Sequence, residues 1–157
     1  MDTQTVALGN ANGWVNLYNL ESSKRVHRIE GIILLNTEHC MAVRSLKYCS
    51  EHNLLVSGSD DLHINLIDLT NNKVIQALVG HKESITSIQF NKELNLFSSS
   101  SLDGTIKLWD FRSRTSSCIQ TLSLNNDNII WDFSFSEKGD YLFAATENNG
   151  LAIFNKN

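Results

Sequence analysis

The chain lacks proline entirely and has only eight glycines among its 157 residues. With no proline available, its turns must be made by Gly, Asn, Asp and Ser. Its longest strongly apolar run, Ile32–Leu35, is far too short to span a bilayer. The first residues, MDTQ, are polar and do not begin a secretory signal peptide. We therefore expect a protein of the cytoplasm, the nucleus or both, with no membrane partner.

Cysteine and positive charge are also scarce. Three widely spaced cysteines, an odd number, indicate isolated thiols in a reducing compartment. These cysteines and the five histidines show no zinc-ligand spacing, and there is no glycine-rich phosphate loop, so we expect no metal and no cofactor. The 13 Lys and Arg against 17 Asp and Glu give a net charge of −4, with no basic cluster evident. Because nucleic-acid affinity depends on neutralising phosphates, we expect no direct binding to nucleic acid.

What the sequence does contain is a series of short segments rich in Ile, Leu, Val, Phe and Thr, each bounded by turn residues. Such segments predict β-strands. Four ten-residue windows align without a gap, each a polar turn followed by alternating strand residues: 10–19 (NANGWVNLYN), 59–68 (SDDLHINLID), 101–110 (SLDGTIKLWD) and 146–155 (TENNGLAIFN). Their last positions are 49, 42 and 45 residues apart, so the chain is a repeat.

A second pattern precedes three of these windows. It is a polar residue followed at fixed distances by three apolar or aromatic residues: HxxxVxxLxY from residue 39, HxxxIxxIxF from residue 81 and NxxxIxxFxF from residue 126. A period of about 40–45 residues with four strands per unit is typical of a β-propeller blade.

One repeat carries both dipeptides that name a family. Gly80-His81 and Trp109-Asp110 resemble the glycine–histidine and tryptophan–aspartate pairs of the WD-repeat family. The stretch from Ala42 to Leu122, together with NIIWDFSFSEKGDYLFAATENNGLAIF, resembles in particular the WD-repeat subunits of the superkiller and Paf1 complexes. This resemblance implies a non-catalytic protein–protein interaction scaffold in RNA surveillance or transcription elongation. Its partners would then be helicase or tetratricopeptide subunits.

The predicted fold is all-β: a partial WD-repeat propeller of about three and a half blades of four-stranded antiparallel sheet. We expect an incomplete first blade in residues 1–38, further blades in 39–80 and 81–124, and a last blade in 125–157 that lacks its outermost strand. The resemblance makes this the C-terminal half of a ring. An open half-ring exposes sheet edges and apolar faces, and a homodimer that joins two half-rings would cover them.

Residue types used in catalysis recur in two blades. In the family, a histidine before the first strand, a second-strand serine, a turn aspartate and a third-strand tryptophan form a buried network. The resemblance assigns this role to His39, Ser59, Asp61, His81, Ser99, Ser101, Asp103 and Trp109. The alternative is a hydrolase with a His–Ser–Asp set, in which Ser57 could replace Ser59. One active site needs no second copy, and no nucleophile elbow is present, so we expect no catalysis.

Partner binding is expected on one rim of the channel, where loops enter the innermost strands of a propeller. The candidate residues are Met41, Arg44, Lys82, Glu83, Thr86, Asn128 and Trp131. Trp131 shares a repeat column with two polar residues, so the blade core does not require an indole there, and exposed Trp is a typical interface anchor. Packing of Trp131 against a neighbouring blade is the alternative. A peptide or histone-tail reader would need an acidic pocket or aromatic cage, for which this rim offers only Glu83, Asp127 and Trp131.

Overall fold

The computed structural model describes residues 4–29, 39–91, 95–113, 118–124, 128–148 and 150–155. The described residues form fourteen β-strands and no helix. In chain order the strands are β1 Thr5–Gly9, β2 Val15–Asn19, β3 Lys24–Ile29, β4 Val43–Cys49, β5 Leu54–Ser59, β6 His63–Asp68, β7 Lys73–Val79, β8 Ile85–Asn91, β9 Leu96–Ser101, β10 Thr105–Trp109, β11 Gln120–Ser123, β12 Ile130–Phe135, β13 Tyr141–Thr146 and β14 Gly150–Asn155. The described part of the chain therefore holds no helix long and apolar enough to cross a bilayer.

The strands make four antiparallel sheets in which each strand pairs with its neighbours in the chain. The sheet orders are β1-β2-β3, β4-β5-β6-β7, β8-β9-β10-β11 and β12-β13-β14. We call these sheets blades 1 to 4. The all-β prediction is confirmed, and the repeated sheets make the chain a partial β-propeller.

The turns that precede β2, β6 and β10 use a left-handed backbone at one repeat column. Gly13, Leu62 and Gly104 have φ values of 84°, 73° and 74°. The N–H of each donates to the carbonyl three residues earlier at 3.2–3.3 Å, which closes a tight turn. Gly adopts this conformation without steric cost, and leucine does not. Leu62 therefore sits in the backbone conformation for which two other blades use glycine.

The core lies in the contacts between blades. Three clusters of buried apolar side chains occupy the contacts of blade 1 with blade 2, blade 2 with blade 3, and blade 3 with blade 4. The second cluster includes Phe97 and Trp109, which are 0% and 1% exposed and stack with their ring centroids 6.4 Å apart. Burial of one such side chain contributes roughly 1.5–3 kcal/mol, so the stability of each blade depends on its neighbours.

The outward face of blade 4 is apolar and exposed. Leu151 and Ile153 of β14 are 59% and 58% exposed. Their repeat equivalents in blade 2, Ile64 and Leu66, are 1% and 0% exposed in the contact with blade 3. The same columns thus make a buried blade contact in one place and a solvent-exposed apolar face in another.

Neighbouring blades approach each other closely where these turns lie. A Cβ atom added to Gly104 would lie 2.9 Å from the carbonyl oxygen of Asn128, and one added to Gly13 would lie 2.0 Å from that of His39. Blades 1 and 2 are also joined by a 3.0 Å bond from the Val43 N–H to the Asn10 carbonyl. Glycine at these turns allows backbone to pack on backbone.

Candidate functional site

Blade 3 holds a buried chain of hydrogen bonds. The Asp103 carboxylate can only accept, so the His81 Nδ1–H donates to Asp103 Oδ2 at 3.0 Å. His81 Nε2 then accepts from the Ser99 hydroxyl at 2.7 Å, and Ser99 Oγ accepts from Trp109 Nε1–H at 2.8 Å. Ser99 is 0% exposed and His81 is 5% exposed. The four predicted residue types of this blade are therefore in one continuous network.

Blade 2 repeats the arrangement without the indole. His39 Nδ1 lies 2.9 Å from Asp61 Oδ2, and His39 Nε2 lies 2.8 Å from Ser57 Oγ. Ile67 stands at the column of Trp109 and cannot donate. The serine that contacts His39 is Ser57, the alternative to the predicted Ser59. Both serines lie on the same face of β5, because side chains two residues apart in a strand point the same way.

Ser59 and Ser101 serve the turn beside the network. The Ser101 hydroxyl donates to the Glu83 carbonyl at 2.9 Å and accepts from the Asp103 N–H at 3.1 Å. Ser59 makes the equivalent pair with the Met41 carbonyl at 3.1 Å and the Asp61 N–H at 3.2 Å. These serines therefore tie the loop before the innermost strand to the turn that carries the aspartate.

The electrostatics of both aspartates favour the carboxylate. Burial opposes ionisation of Asp103, but hydrogen bonds from His81, Thr105 and the Lys82 N–H outweigh it and hold the pKa of Asp103 well below its usual range. For Asp61, burial is likewise outweighed by His39 and by backbone N–H donors, so its pKa is also lowered. Each aspartate is a charged acceptor inside the blade.

Blade 4 departs from this pattern. Asn126, which aligns with the two histidines, lies outside the described residues. Asn128 is 1% exposed, and its Oδ1 accepts the Asn148 N–H at 2.9 Å. The prediction that Asn128 contacts a partner is therefore wrong: its side chain holds the turn between β13 and β14 from inside the fold.

A β-bulge recurs at the start of three innermost strands. The pairing of β4 with β5 shifts between Val43 and Ser45, and equivalent shifts occur in β8 and β12. The residue inside each shift is Arg44, Thr86 or Trp131. A bulge takes one residue out of the ladder and redirects its side chain. Sequence columns placed these three residues together but gave no sign of the bulge.

The three bulge side chains have different surroundings. Arg44 makes a two-pronged contact with Asp60, with Nη2 to Oδ2 at 2.6 Å, and its side chain is 59% exposed. The Thr86 hydroxyl donates to the Ile130 carbonyl at 2.8 Å and so is engaged within the fold. Trp131 is 53% exposed. Its packing against a neighbouring blade, the alternative expected above, is thus at most partial.

The other predicted rim residues are accessible. Met41 is 51% exposed, and Lys82 and Glu83 are exposed. We call Met41, Arg44, Lys82, Glu83 and Trp131 the rim surface. Asp127, the further carboxylate considered for a peptide reader, lies outside the described residues. Among the described residues, no three His, Cys, Asp or Glu side chains group so as to hold a metal ion.

Comparison with protein families identifies the repeat. The family model described as the WD domain, G-beta repeat, matches residues 32–68, 72–110 and 116–155. These three matches cover well over half of the chain. Each ends at the third strand of a blade, because it follows the sequence repeat and not the sheet boundaries.

Several proteins of known identity are similar over most of the chain. U3 small nucleolar RNA-associated protein 21 from Saccharomyces cerevisiae is 34% identical over 114 residues, which are 71% of this chain and 12% of that protein. Pre-mRNA-processing factor 19 from Bos taurus is 23% identical over 134 residues, 85% of this chain and 26% of that protein. Striatin from Mus musculus is 25% identical over 139 residues, 86% of this chain and 17% of that protein. The chain spans only about a quarter or less of the length of these relatives.

Proposed function

The chain belongs to the WD-repeat family, and from that membership we propose that it is a non-catalytic scaffold that binds other proteins through the rim surface. The observation that carries this proposal is that the Trp131 side chain is 53% exposed. Trp131 lies at a bulge, where the residue takes no part in the strand pairing. Large aromatic side chains anchor protein interfaces because they bury much area with few rotatable bonds. Met41, 51% exposed, adds a flexible apolar contact.

The other residues of the rim surface are charged. The exposed Lys82 and Glu83 lie on the loop that enters blade 3, and Arg44 is held by Asp60. An apolar centre with a polar border is the usual composition of an interface. The rim surface therefore fits a folded protein or a peptide that inserts an apolar residue beside Trp131.

The hydrolase alternative has the right order of groups but no access. Ser99, His81 and Asp103 are aligned as in a catalytic triad. Ser99 is 0% exposed, and its oxygen already accepts from Trp109, so a substrate carbonyl has no path to it. A fluorophosphonate probe should leave the native protein unlabelled. Labelling of native protein that Ser99→Ala abolishes would support the hydrolase.

Binding through the rim surface can be tested by affinity purification with the full chain as bait. We expect Trp131→Ala to lose bound proteins while it melts at the temperature of the wild type. Ile119→Ala is a matched control, because Ile119 is 57% exposed but lies beside the outermost strand of blade 3. Equal retention of partners by wild type and Trp131→Ala would contradict the rim surface as the binding site.

The complex that the scaffold serves is a finer proposal. The resemblance of residues 42–122 to the WD-repeat subunits of the superkiller and Paf1 complexes supports a role in RNA surveillance or transcription elongation. The names of two relatives, a small nucleolar RNA-associated protein and a pre-mRNA-processing factor, support a nuclear location and an RNA-processing assembly. Recovery of helicase and tetratricopeptide subunits in the purification would support the superkiller assignment. Recovery of ribosome-assembly or splicing factors instead would contradict it.

We also propose that a second copy of the chain covers the exposed face of blade 4. Within the chain, one face of each blade packs on the opposite face of the next blade. For example, Val15 and Leu17 of blade 1 pack on Leu55 and Ile67 of blade 2. The equivalents of Leu55 and Ile67 in blade 1 are Val6 and Tyr18, which are half-buried. Blade 1 of a second copy therefore offers blade 4 the kind of face it lacks. Two such contacts would close a ring with two-fold symmetry.

A further inference from the structure

A positively charged groove lies on the outer circumference between blades 1 and 2, away from the rim surface. It has a volume of about 590 Å³ and is lined by residues 25–28 of β3 and by residues 71–73 at the start of β7. We propose that this groove binds an acidic, extended segment of a partner protein. The proposal is independent of the rim surface, because the two regions share no residue.

The groove concentrates charge that the composition of the whole chain conceals. Arg25, Arg28 and Lys73 are permanently cationic, His27 lies between the two arginines, and none of the lining residues carries a carboxylate. Lys24 precedes them on the same strand and is exposed. The expectation that the chain has no basic cluster is therefore wrong for this region, although the net charge of the chain is −4.

The one carboxylate opposite the groove in the strand ladder is already engaged. Asp68 pairs with Lys73 across β6 and β7. Its carboxylate accepts the Thr70 N–H at 2.8 Å and the Asn71 side-chain amide at 2.8 Å. Asp68 keeps its negative charge, but these contacts direct its oxygens to the turn. The three cations that line the groove, Arg25, Arg28 and Lys73, outnumber this one carboxylate.

The backbone around the groove suits an extended ligand. Both β3 and β7 are terminal strands of their sheets, so within the described residues each has one edge without a pairing strand. Such an edge accepts an added strand through its main-chain groups. Val26, 62% exposed, stands at a register shift between Arg25 and His27. A strand with alternating acidic and apolar residues would match this order of cation and apolar side chain.

The surroundings favour an acidic peptide over RNA. Single-stranded nucleic acid is held by aromatic side chains on which bases stack. The groove has no Phe, Tyr or Trp in its lining. The nearby Trp14 is covered by Arg28, whose Cζ lies 4.5 Å from the centre of the indole, so this ring does not offer an open face on that side.

The test is a titration of the full chain with a fluorescent peptide of alternating Glu and Val, with a Lys–Val peptide as charge control. We expect binding of the Glu–Val peptide alone, weakened as salt rises because salt screens exposed charges. The double variant Arg25→Glu/Lys73→Glu should bind about tenfold more weakly. The control Arg112→Glu/Lys138→Glu changes the net charge equally at exposed sites outside both the groove and the rim surface and should bind as the wild type does.

Several results would overturn the proposal. These are absence of Glu–Val binding at low salt, equal loss in both double variants, or displacement of the peptide by a single-stranded RNA that binds more tightly and also loses affinity in Arg25→Glu/Lys73→Glu. The last result would assign the groove to nucleic acid. Circular dichroism checks the fold of each variant, and Arg25→Gln/Lys73→Gln, which removes charge without reversing it, replaces a variant that fails to fold.

Discussion

The indole N–H of Trp109 donates to the hydroxyl oxygen of Ser99 at 2.8 Å, inside the contact between blades 2 and 3. The adjacent Ser98 is 1% exposed, yet its hydroxyl has no hydrogen-bond partner among the described residues. These two buried serines lie on opposite faces of β9, and only Ser99 takes part in the network. This difference makes them a matched pair.

Ser99→Ala should lower the free energy of unfolding by about 1–3 kcal/mol, because it leaves Trp109 Nε1 and His81 Nε2 buried without a partner. Ser98→Ala should change it by less than about 0.5 kcal/mol, since no bond is lost. Urea denaturation measures both. If the two variants were equally destabilised, loss of the hydroxyl's packing and not of its hydrogen bonds would explain the effect.

The lowered pKa values of Asp61 and Asp103 predict a stability that falls in acid. The unfolded carboxyl has a pKa near 3.9, and the folded one lies below it. Between these values the unfolded chain binds more protons, so stability rises with pH in that interval. The contribution should be complete above a pH of about 3.9 and should be lost as the pH falls through the folded pKa. Unfolding free energies measured across this range check the slope.

Asp103→Asn should flatten that slope more than Asp110→Asn. Asp110 also has a lowered pKa through Arg112, but the Arg112 side chain of this pair is 57% exposed, and solvent screens such contacts. Equal slopes in the two variants would show that the buried network does not set the acid sensitivity.

Gly104→Ala should destabilise the protein more than Gly150→Ala. Both glycines have a left-handed backbone, with φ values of 74° and 68°, so both substitutions incur a conformational cost of about 1–2 kcal/mol. The added Cβ would meet the Asn128 carbonyl at 2.9 Å in one case and nothing within 4 Å in the other. The difference between the melting temperatures of the two variants measures the cost of the clash between blades 3 and 4. Equal melting temperatures would contradict a close approach at Gly104.

Ile153→Asp should abolish the proposed dimer. A charge on the outward face of blade 4 cannot be buried in a blade contact without a large desolvation cost. Ile119→Asp, at a similarly exposed isoleucine outside that face, should leave the dimer intact. Light scattering reports the mass of each. A wild-type monomer would remove the basis of the proposal at once.

The strands could be predicted because their signals are local. Alternation of apolar residues and the polar turn residues of the windows identify a strand without knowledge of its partner. Exposure of Leu151 and Ile153 also follows from the repeat, once it is known that the described sheets end with blade 4. The identity of the network residues came from the family resemblance. The choice between Ser57 and Ser59 required the structure, because it depends on which hydroxyl the His39 ring reaches.

Other features depend on pairing between distant segments. The bulges at Arg44, Thr86 and Trp131 are properties of two strands at once, so one strand's sequence does not reveal them. Asn128 lies in a loop without periodicity, where nothing marks it as buried. The basic groove brings residues 25–28 next to residues 71–73. The net charge of the whole chain does not show that these two segments are close in space.

The recurring bulge keeps the strand pairing the same in three blades while the residue inside it differs. At one position in each of blades 2, 3 and 4 the chain places a guanidinium, a hydroxyl or an indole without altering how the neighbouring residues pair. At Arg44 and Trp131, whose side chains are exposed, a mutation changes the surface of the blade while the strands keep their pairing. If the rim surface binds partners as proposed, its specificity can therefore change one blade at a time, on an architecture that stays the same.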